Sequence, residues 1–301
     1  MGAGFMGSAA DEGATAPNVS QVIAMLERTI DSYGAGRAVV AFSGGVDSTV
    51  VAALAARALG PRVVTAVTAV SPSYPTGELE AAREVAASLG VEHWTVQTHE
   101  VERDAYVRND AMRCFHCKME LYATLGKLLV ELAADGAVLL AGANADDAND
   151  FRPGLEAARQ RGVRNPLLEA GVGKSSVRAT ARRLGLAVAD KPALACLSSR
   201  VAYGIRITPN LLARIDQAER AVRSLGFGVV RVRHFGETAS IEVATEDIAR
   251  LESHPGLENL LAEVRRLGWN DVAVDPQGYR TGSLNALLGD KELLGRPGSS
   301  R

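Results

Sequence analysis

The sequence predicts an α/β fold: a doubly wound parallel sheet followed by a second, smaller α+β domain. Three observations point there. Valine-rich runs of strand length alternate with helix-length runs between Arg37 and about Gly142. Glycine follows the first and fourth strand-like runs, where ligands meet such sheets. After Gly173 the pattern changes to longer helices and alternating strands.

The elements follow in order. Ala38–Ser43 is a short apolar run that suits a buried parallel strand. Ser48–Leu59 repeats apolar residues at helical spacing and stops at Gly60-Pro61. Val63–Val70 reads as a second buried strand, Gly77–Leu89 as a helix and Glu92–Thr98 as a third strand. Lys118–Ala134 is a long amphipathic helix, and Ala137–Ala141 a fourth strand. Lys174–Leu184 is helical, and Asp190–Tyr203 is a loop. Thr208 and Pro209 are suited to the cap and first position of a helix that runs to Leu225. Gly228–Phe235 and Ser240–Ala244 alternate like exposed antiparallel strands. Glu246–Glu252 and Leu257–Leu267 are helical, and Asp271–Asp275 is a last strand. Residues 1–18 read as a disordered leader, 19–204 as the sheet domain, 205–288 as the smaller domain and 289–301 as a flexible tail.

Composition narrows the function. The chain has 301 residues, 47% hydrophobic and 23% charged, which excludes a disordered or collagen-like chain. No apolar run approaches the ~18–20 residues needed to cross a bilayer, so no membrane partner is expected. Lys and Arg total 33 against 35 Asp and Glu, so no global positive field draws nucleic acid. Three cysteines fit a reducing, cytoplasmic setting better than a disulfide framework.

Ser43-Gly44-Gly45-Val46-Asp47-Ser48 joins the first strand to the first helix. Two glycines let backbone N–H groups approach an anion, and Ser43, Ser48 and Thr49 add hydroxyl donors. The following helix N-terminus favours negative charge, so the segment reads as a phosphate loop. It is not a Walker A loop, because no Gly-Lys-Ser/Thr follows. The bland alternative is a tight strand–helix turn. A second cluster after the fourth strand contains Gly142, Asn144 and Asp147. Its acids suit a metal or a ribose hydroxyl, which would make it a wall of the nucleotide site.

Cys114 and Cys117 form a Cys-x-x-Cys pair after an irregular loop, and Cys196 lies in a separate loop. Three thiols are too few for a four-cysteine zinc site. They suit a [4Fe–4S] cluster with one open iron. Zinc completed by His116, a redox dithiol, and incidental core cysteines are the alternatives. Arg231 and Arg233 share one strand face, and Arg200 follows Cys196; each suits a phosphate clamp or a solvated face. Lys174 opens a helix and faces either phosphate or water.

The loop resembles the PP-loop ATP pyrophosphatases, with their adenine nucleotide alpha hydrolase-like fold. The resemblance implies cleavage of ATP between its α and β phosphates, with Asp47 placing Mg²⁺. The wider pattern resembles one branch, the LarE-like ATP-dependent sulfur transferases. It runs from about Val39 to Ser283 through the phosphate loop, Arg113-Cys-x-x-Cys-Lys118, Gly142 to Asp147, Cys196 to Arg200 and Arg231 to Glu237. That resemblance implies a role in nickel-pincer nucleotide biosynthesis and lactate racemase maturation. A carboxylate of pyridinium-3,5-dicarboxylic acid mononucleotide would be adenylated and converted to a thiocarboxylate. Cys196 would supply sulfur directly, or would bind a [4Fe–4S] cluster with Cys114 and Cys117. The resemblance also implies Arg200, Arg231 and Arg233 at the substrate, a second metal at Glu219 and Glu242, and a homo-oligomer, a hexamer. Competing readings are tRNA thiolation, amide synthesis and a non-catalytic nucleotide-binding regulator.

Overall fold

In the computed structural model, residues 17–132, 136–149, 152–280 and 282–284 are described. Most of the expected leader and the whole expected tail lie outside them. The chain opens with α1 (Val19–Asp31) and β1 (Arg37–Ala41), then α2 (Val46–Leu59) and β2 (Val64–Val70). α3 (Glu78–Ser88), β3 (Glu92–Gln97), α4 (Asp104–Val107), α5 (Arg113–Leu132) and β4 (Ala137–Leu140) follow. α6 (Pro153–Gln160), α7 (Pro166–Glu169) and α8 (Lys174–Arg183) complete the first half. The second contains α9 (Pro209–Ser224), β5 (Val230–Phe235), β6 (Thr238–Val243), α10 (Ile248–Glu252), α11 (Leu257–Arg266) and β7 (Asp271–Val274).

The first sheet is parallel, in the order β3-β2-β1-β4. β1 is apolar on both faces, as a strand covered by helices on both sides must be. Ala38 and Val40 join a core with α1, α2 and α8, while Val39 points into a second layer with α5 and α6. The chain runs outward from β1 to β3, then returns to place β4 on the other side of β1. The loops after β1 and β4 therefore diverge around a crevice, the usual ligand position in such sheets.

The second sheet, β5-β6-β7, pairs β5 with β6 antiparallel and β6 with β7 parallel. The exposed strands expected from Gly228 to Ala244 prove buried: five of six β5 residues are covered. Their charged residues misled the pattern, because Arg231, Arg233 and Glu242 are buried with polar partners. This sheet has its own core with α9, α11 and Trp269, to which Tyr106, Val107, Leu197 and Val201 also contribute.

α5 begins at Arg113, a turn earlier than its apolar spacing predicts, so Cys114 and Cys117 sit in its first turns, on one face. α1 carried a legible signal, the reciprocal Asn18 and Gln21 capping box. No helix among the described residues is long and apolar enough to cross a membrane.

Candidate functional site

The phosphate loop leaves β1 and enters α2. Gly44 adopts φ +71°, and a Cβ there would lie 3.0 Å from Ala82 Cβ, so only glycine fits. Gly45 caps α2 without a side-chain hydrogen bond, leaving first-turn N–H groups open to an anion. Within the loop, Ser48 Oγ donates to Gly45 O at 3.1 Å and sits 3.2 Å from Ser43 Oγ. Tyr74 Oη donates to Ser43 O at 3.1 Å. Burial, with Glu78 adding, pushes the Tyr74 phenol up to about 12. Thr49 Oγ1 is buried without a partner.

The loop after β4 packs against this cradle. A Cβ on Gly142 would lie 2.8 Å from Ser48 N, so the close approach of the loops requires glycine. Asn144 Nδ2 donates to Asp47 Oδ1 at 3.1 Å. The Lys174 ammonium pairs with Asp47 Oδ2, and its backbone N–H donates to Asp146 Oδ2 at 2.8 Å. Asp147 Oδ2 accepts from Asn144 N at 3.0 Å, and its Oδ1 pairs with Arg152. Asp47 thus meets a cation at the mouth of the loop. Sequence reasoning left Lys174 undecided, because the contact crosses 127 positions.

The Cys196 loop runs across the same mouth. Leu194 Cβ lies 3.9 Å from a Cβ built on Gly45. Lys191 Nζ pairs with Glu78 at 2.7 Å and reaches Gly44 O at 3.5 Å. Leu197 N donates to Ser73 O at 2.8 Å. Ser73 and Ser71 hydroxyls both donate to buried Glu100, at 2.8 and 2.5 Å. Lys191, Tyr74, Ser71, Ser73 and Glu100 were missed by the sequence reading. For Ser71, Ser73, Tyr74 and Glu100 the one signal was polar chain beyond the carboxyl ends of β2 and β3; Lys191 lies in the loop after α8.

Three arginines hold this loop from the other side. Arg200 Nη1 donates to Ala195 O at 2.7 Å and Cys196 O at 2.9 Å. Arg231 Nη2 donates to Ala193 O at 2.7 Å, and Arg233 Nη1 to Ser199 O at 2.9 Å. All three side chains are buried, whereas the sequence reading expected phosphate clamps or a solvated face. Burial, and the nearby Arg200, lower the Arg231 guanidinium to about 10. Tyr279 lies beneath it, 5.1 Å from ring centre to Cζ.

Glu219 and Glu242 balance this charge. Glu219 bonds Arg200 Nε at 2.8 Å, Arg223 Nη2 at 2.7 Å and Val232 N at 3.1 Å. Glu242 pairs with Arg233 at 2.8 Å. Burial raises the Glu219 carboxyl, but Arg200 and then Arg223 outweigh it and hold it below the ordinary value. Both carboxylates expected at a second metal are thus engaged by arginines.

Cys117 is half-buried and Cys114 exposed. Burial pushes the Cys117 thiol up, against the pull of the Lys118 ammonium. Cys196 and Cys114 lie near enough to influence it. Among the described residues, no three Cys, His, Asp or Glu side chains form a group able to hold a metal ion.

Comparison with known proteins adds the family. The NAD synthase family model matches residues 18–113, which span the phosphate loop. An uncharacterized protein of Synechocystis, slr1717, is 43% identical over 84% of this chain and 93% of its own length. The pyridinium-3,5-bisthiocarboxylic acid mononucleotide synthase of Lactiplantibacillus plantarum is 35% identical, covering 85% of this chain and 92% of that protein. The chain belongs to the LarE-like family of PP-loop sulfur transferases. It is an ATP-dependent sulfurtransferase. The tRNA-specific 2-thiouridylase MnmA of Beijerinckia indica is 31% identical over only 52% of this chain and 44% of its own.

Proposed function

We propose that this LarE-like protein adenylates a carboxylate of pyridinium-3,5-dicarboxylic acid mononucleotide and replaces an acyl oxygen with sulfur, within nickel-pincer nucleotide biosynthesis. One observation carries this reading: the Cys196 loop crosses the mouth of the phosphate loop, with Leu194 against Gly45. An acid activated there would lie beside a thiol-bearing segment.

The chain's own groups divide the work. The open N–H groups of α2 and the Ser43, Ser48 and Thr49 hydroxyls receive the pyrophosphate as it leaves. Asp47, with a cation already against it, fits a Mg²⁺ ligand; that ion would supply charge neutralisation on the phosphates. Gly142 and Asn144 hold the nucleotide from the opposite side, with Asp147 fixing the Asn144 backbone. The substrate carboxylate attacks the α phosphate, and pyrophosphate departs. The resulting acyl-adenylate is a better electrophile than the carboxylate, because AMP is a good leaving group.

The Cys196 sulfur then attacks the acyl carbon and AMP leaves, giving a thioester. Loss of the Cys196 Cα proton and cleavage of its Cβ–S bond release the thiocarboxylate and leave dehydroalanine. Cys114 and Cys117 supply a second route. With Cys196 they would hold a [4Fe–4S] cluster only once the three thiols close together, since the described residues form no group able to hold a metal ion as they stand; Arg113 and Lys118 flank the Cys-x-x-Cys pair. Such a cluster would supply an exchangeable sulfide. Buried Arg200, Arg231 and Arg233 set the loop's position, and a loop movement would expose them to the substrate phosphate.

ATP–pyrophosphate exchange tests the reading. Exchange that depends on the pyridinium dicarboxylate mononucleotide supports it; its absence would assign the sulfurtransferase a different acid substrate. Mass spectrometry of turned-over protein, with an iron count, separates the two sulfur routes. Loss of one H₂S at Cys196 marks sacrifice, and iron bound without that loss marks the cluster. The half-chain likeness to a tRNA thiolase is met by a gel shift: retardation of tRNA would redirect the substrate assignment.

A further inference from the structure

We infer that Asn109 and Arg113 are positioning residues that hold the Cys196 loop against the helix carrying Cys114 and Cys117. The inference rests on Cys196 as the sulfur-bearing residue.

Asn109 is fully buried and adopts φ +57°, the one positive φ outside glycine among the described residues. Asparagine tolerates this conformation better than bulkier side chains. Its side chain joins two distant segments. Nδ2 donates to Ala202 O at 2.8 Å and Ile205 O at 3.0 Å, beyond Cys196 in the chain. Its own carbonyl accepts from Gly204 N at 3.1 Å. Oδ1 accepts from Arg113 Nη1 at 2.5 Å.

Arg113 passes the connection on. The same Nη1 donates at 2.9 Å to Ser198 O, two residues after Cys196. Ser198 is also gripped from below, with its Oγ 2.5 Å from Tyr106 Oη. Arg113 immediately precedes Cys114, so one guanidinium joins the first turn of α5 to the Cys196 loop.

Stability alone explains this joint poorly. Arg113 is 5% exposed, and its hydrogen bonds go to an amide and a carbonyl oxygen rather than to a carboxylate. Its Nε is buried without a hydrogen bond. Its electrostatic neighbours include Cys114, Cys196, Tyr203 and Tyr106. Burying a guanidinium this way is costly, and an apolar contact would splice the segments at lower cost. One guanidinium nitrogen that bonds two oxygens from different segments fixes direction as well as distance, which a sulfur-delivering loop needs.

The test uses the full-length protein and a short bifunctional maleimide that bridges Cys196 to Cys114 or Cys117. Bridging is read by peptide mass spectrometry and does not depend on the substrate. Asn109→Gly keeps the positive φ and deletes the amide; Arg113→Met deletes the guanidinium. Both should bridge and form thiocarboxylate more than about tenfold slower, with ATP–pyrophosphate exchange within about threefold of wild type. Bridging at the wild-type rate in Asn109→Gly overturns the inference. So does exchange lost in step with bridging, which marks general damage, or a wild-type chain that does not bridge. Should Arg113→Met fail to fold, Asn109→Gly decides. Normal bridging in a wild-type protein that neither exchanges nor thiolates would refute the proposed function instead.

Discussion

At Gly44 a single hydrogen decides whether a phosphate loop exists. The φ of +71° strains any other residue, and Ala82 blocks an added methyl from the α3 side. Gly44→Ala should retain the fold, at a cost of roughly 1–2 kcal/mol for the left-handed backbone, and lose most ATP–pyrophosphate exchange. Gly142→Ala should be as damaging to exchange, because its methyl meets the Ser48 backbone at 2.8 Å rather than a movable side chain. Cys196 separates the half-reactions. Cys196→Ala should still release pyrophosphate and yield no thiocarboxylate; a variant with normal product yield refutes the cysteine's role. Rapid-quench detection of pyrophosphate and product distinguishes these outcomes.

At the scale of elements, stability and site geometry meet where the Cys196 loop rests on α9 and β5. The Arg200–Glu219 pair is almost completely buried, at 1% and 0% side-chain exposure. Removing Arg200 leaves the buried Glu219 carboxylate with Arg223 and the Val232 N–H alone. Arg200→Met should therefore destabilise by about 3 kcal/mol, near the lower end for such pairs because Arg223 still faces Glu219. The double variant Arg200→Met/Glu219→Gln should recover part of that loss, as denaturant midpoints will show. The sign with pH follows from Glu219 being held below the ordinary carboxylate value. Its contribution is complete above that value and fades as pH falls through the lower, folded-state value.

His234 behaves oppositely in charge but alike in direction. Burial and then Arg214 lower it from 6.5 to about 4, so the fold prefers it neutral. Its Nδ1 accepts from Trp269 Nε1 at 2.8 Å, which requires that nitrogen unprotonated. Stability from this group is present above 6.5 and is lost as pH falls toward 4. His234→Gln should flatten that part of the curve of melting temperature against pH, and an unchanged slope would contradict the assignment.

Across the whole molecule, two sheets with separate cores meet at the chain that bears the chemistry. Asp216 Oδ1, on α9, accepts from Thr76 N at 3.1 Å, joining the second core to the loop before α3. A non-hydrolysable ATP analogue should raise the melting temperature by several degrees at about 100 times its Kd. Asp47→Asn should weaken that rise, and an undiminished rise would remove Asp47 from the nucleotide site.

The alternation of strand and helix and the phosphate loop were legible because each is a local pattern, read over a dozen residues. α1 carries a local signal too, its capping box, but the cap Asn18 falls inside the stretch whose composition reads as a leader. α4 and α7 span four residues each, too few to repeat a period. Charge was the poorest guide. Arg231 and Glu242 look like solvent-facing residues in sequence, and both are buried.

By itself the sequence determined the parallel α/β class and the glycines that the anion cradle needs, because backbone conformation and periodicity are properties of neighbouring residues. The tertiary structure decided what those neighbours face. Lys174 meets Asp47 across 127 positions, and Asn109 holds the backbone at Ala202 across 93. Such pairings follow from packing two sheets around one loop. Residue type alone does not encode them, since a buried charge takes its meaning from the partner that neutralises it.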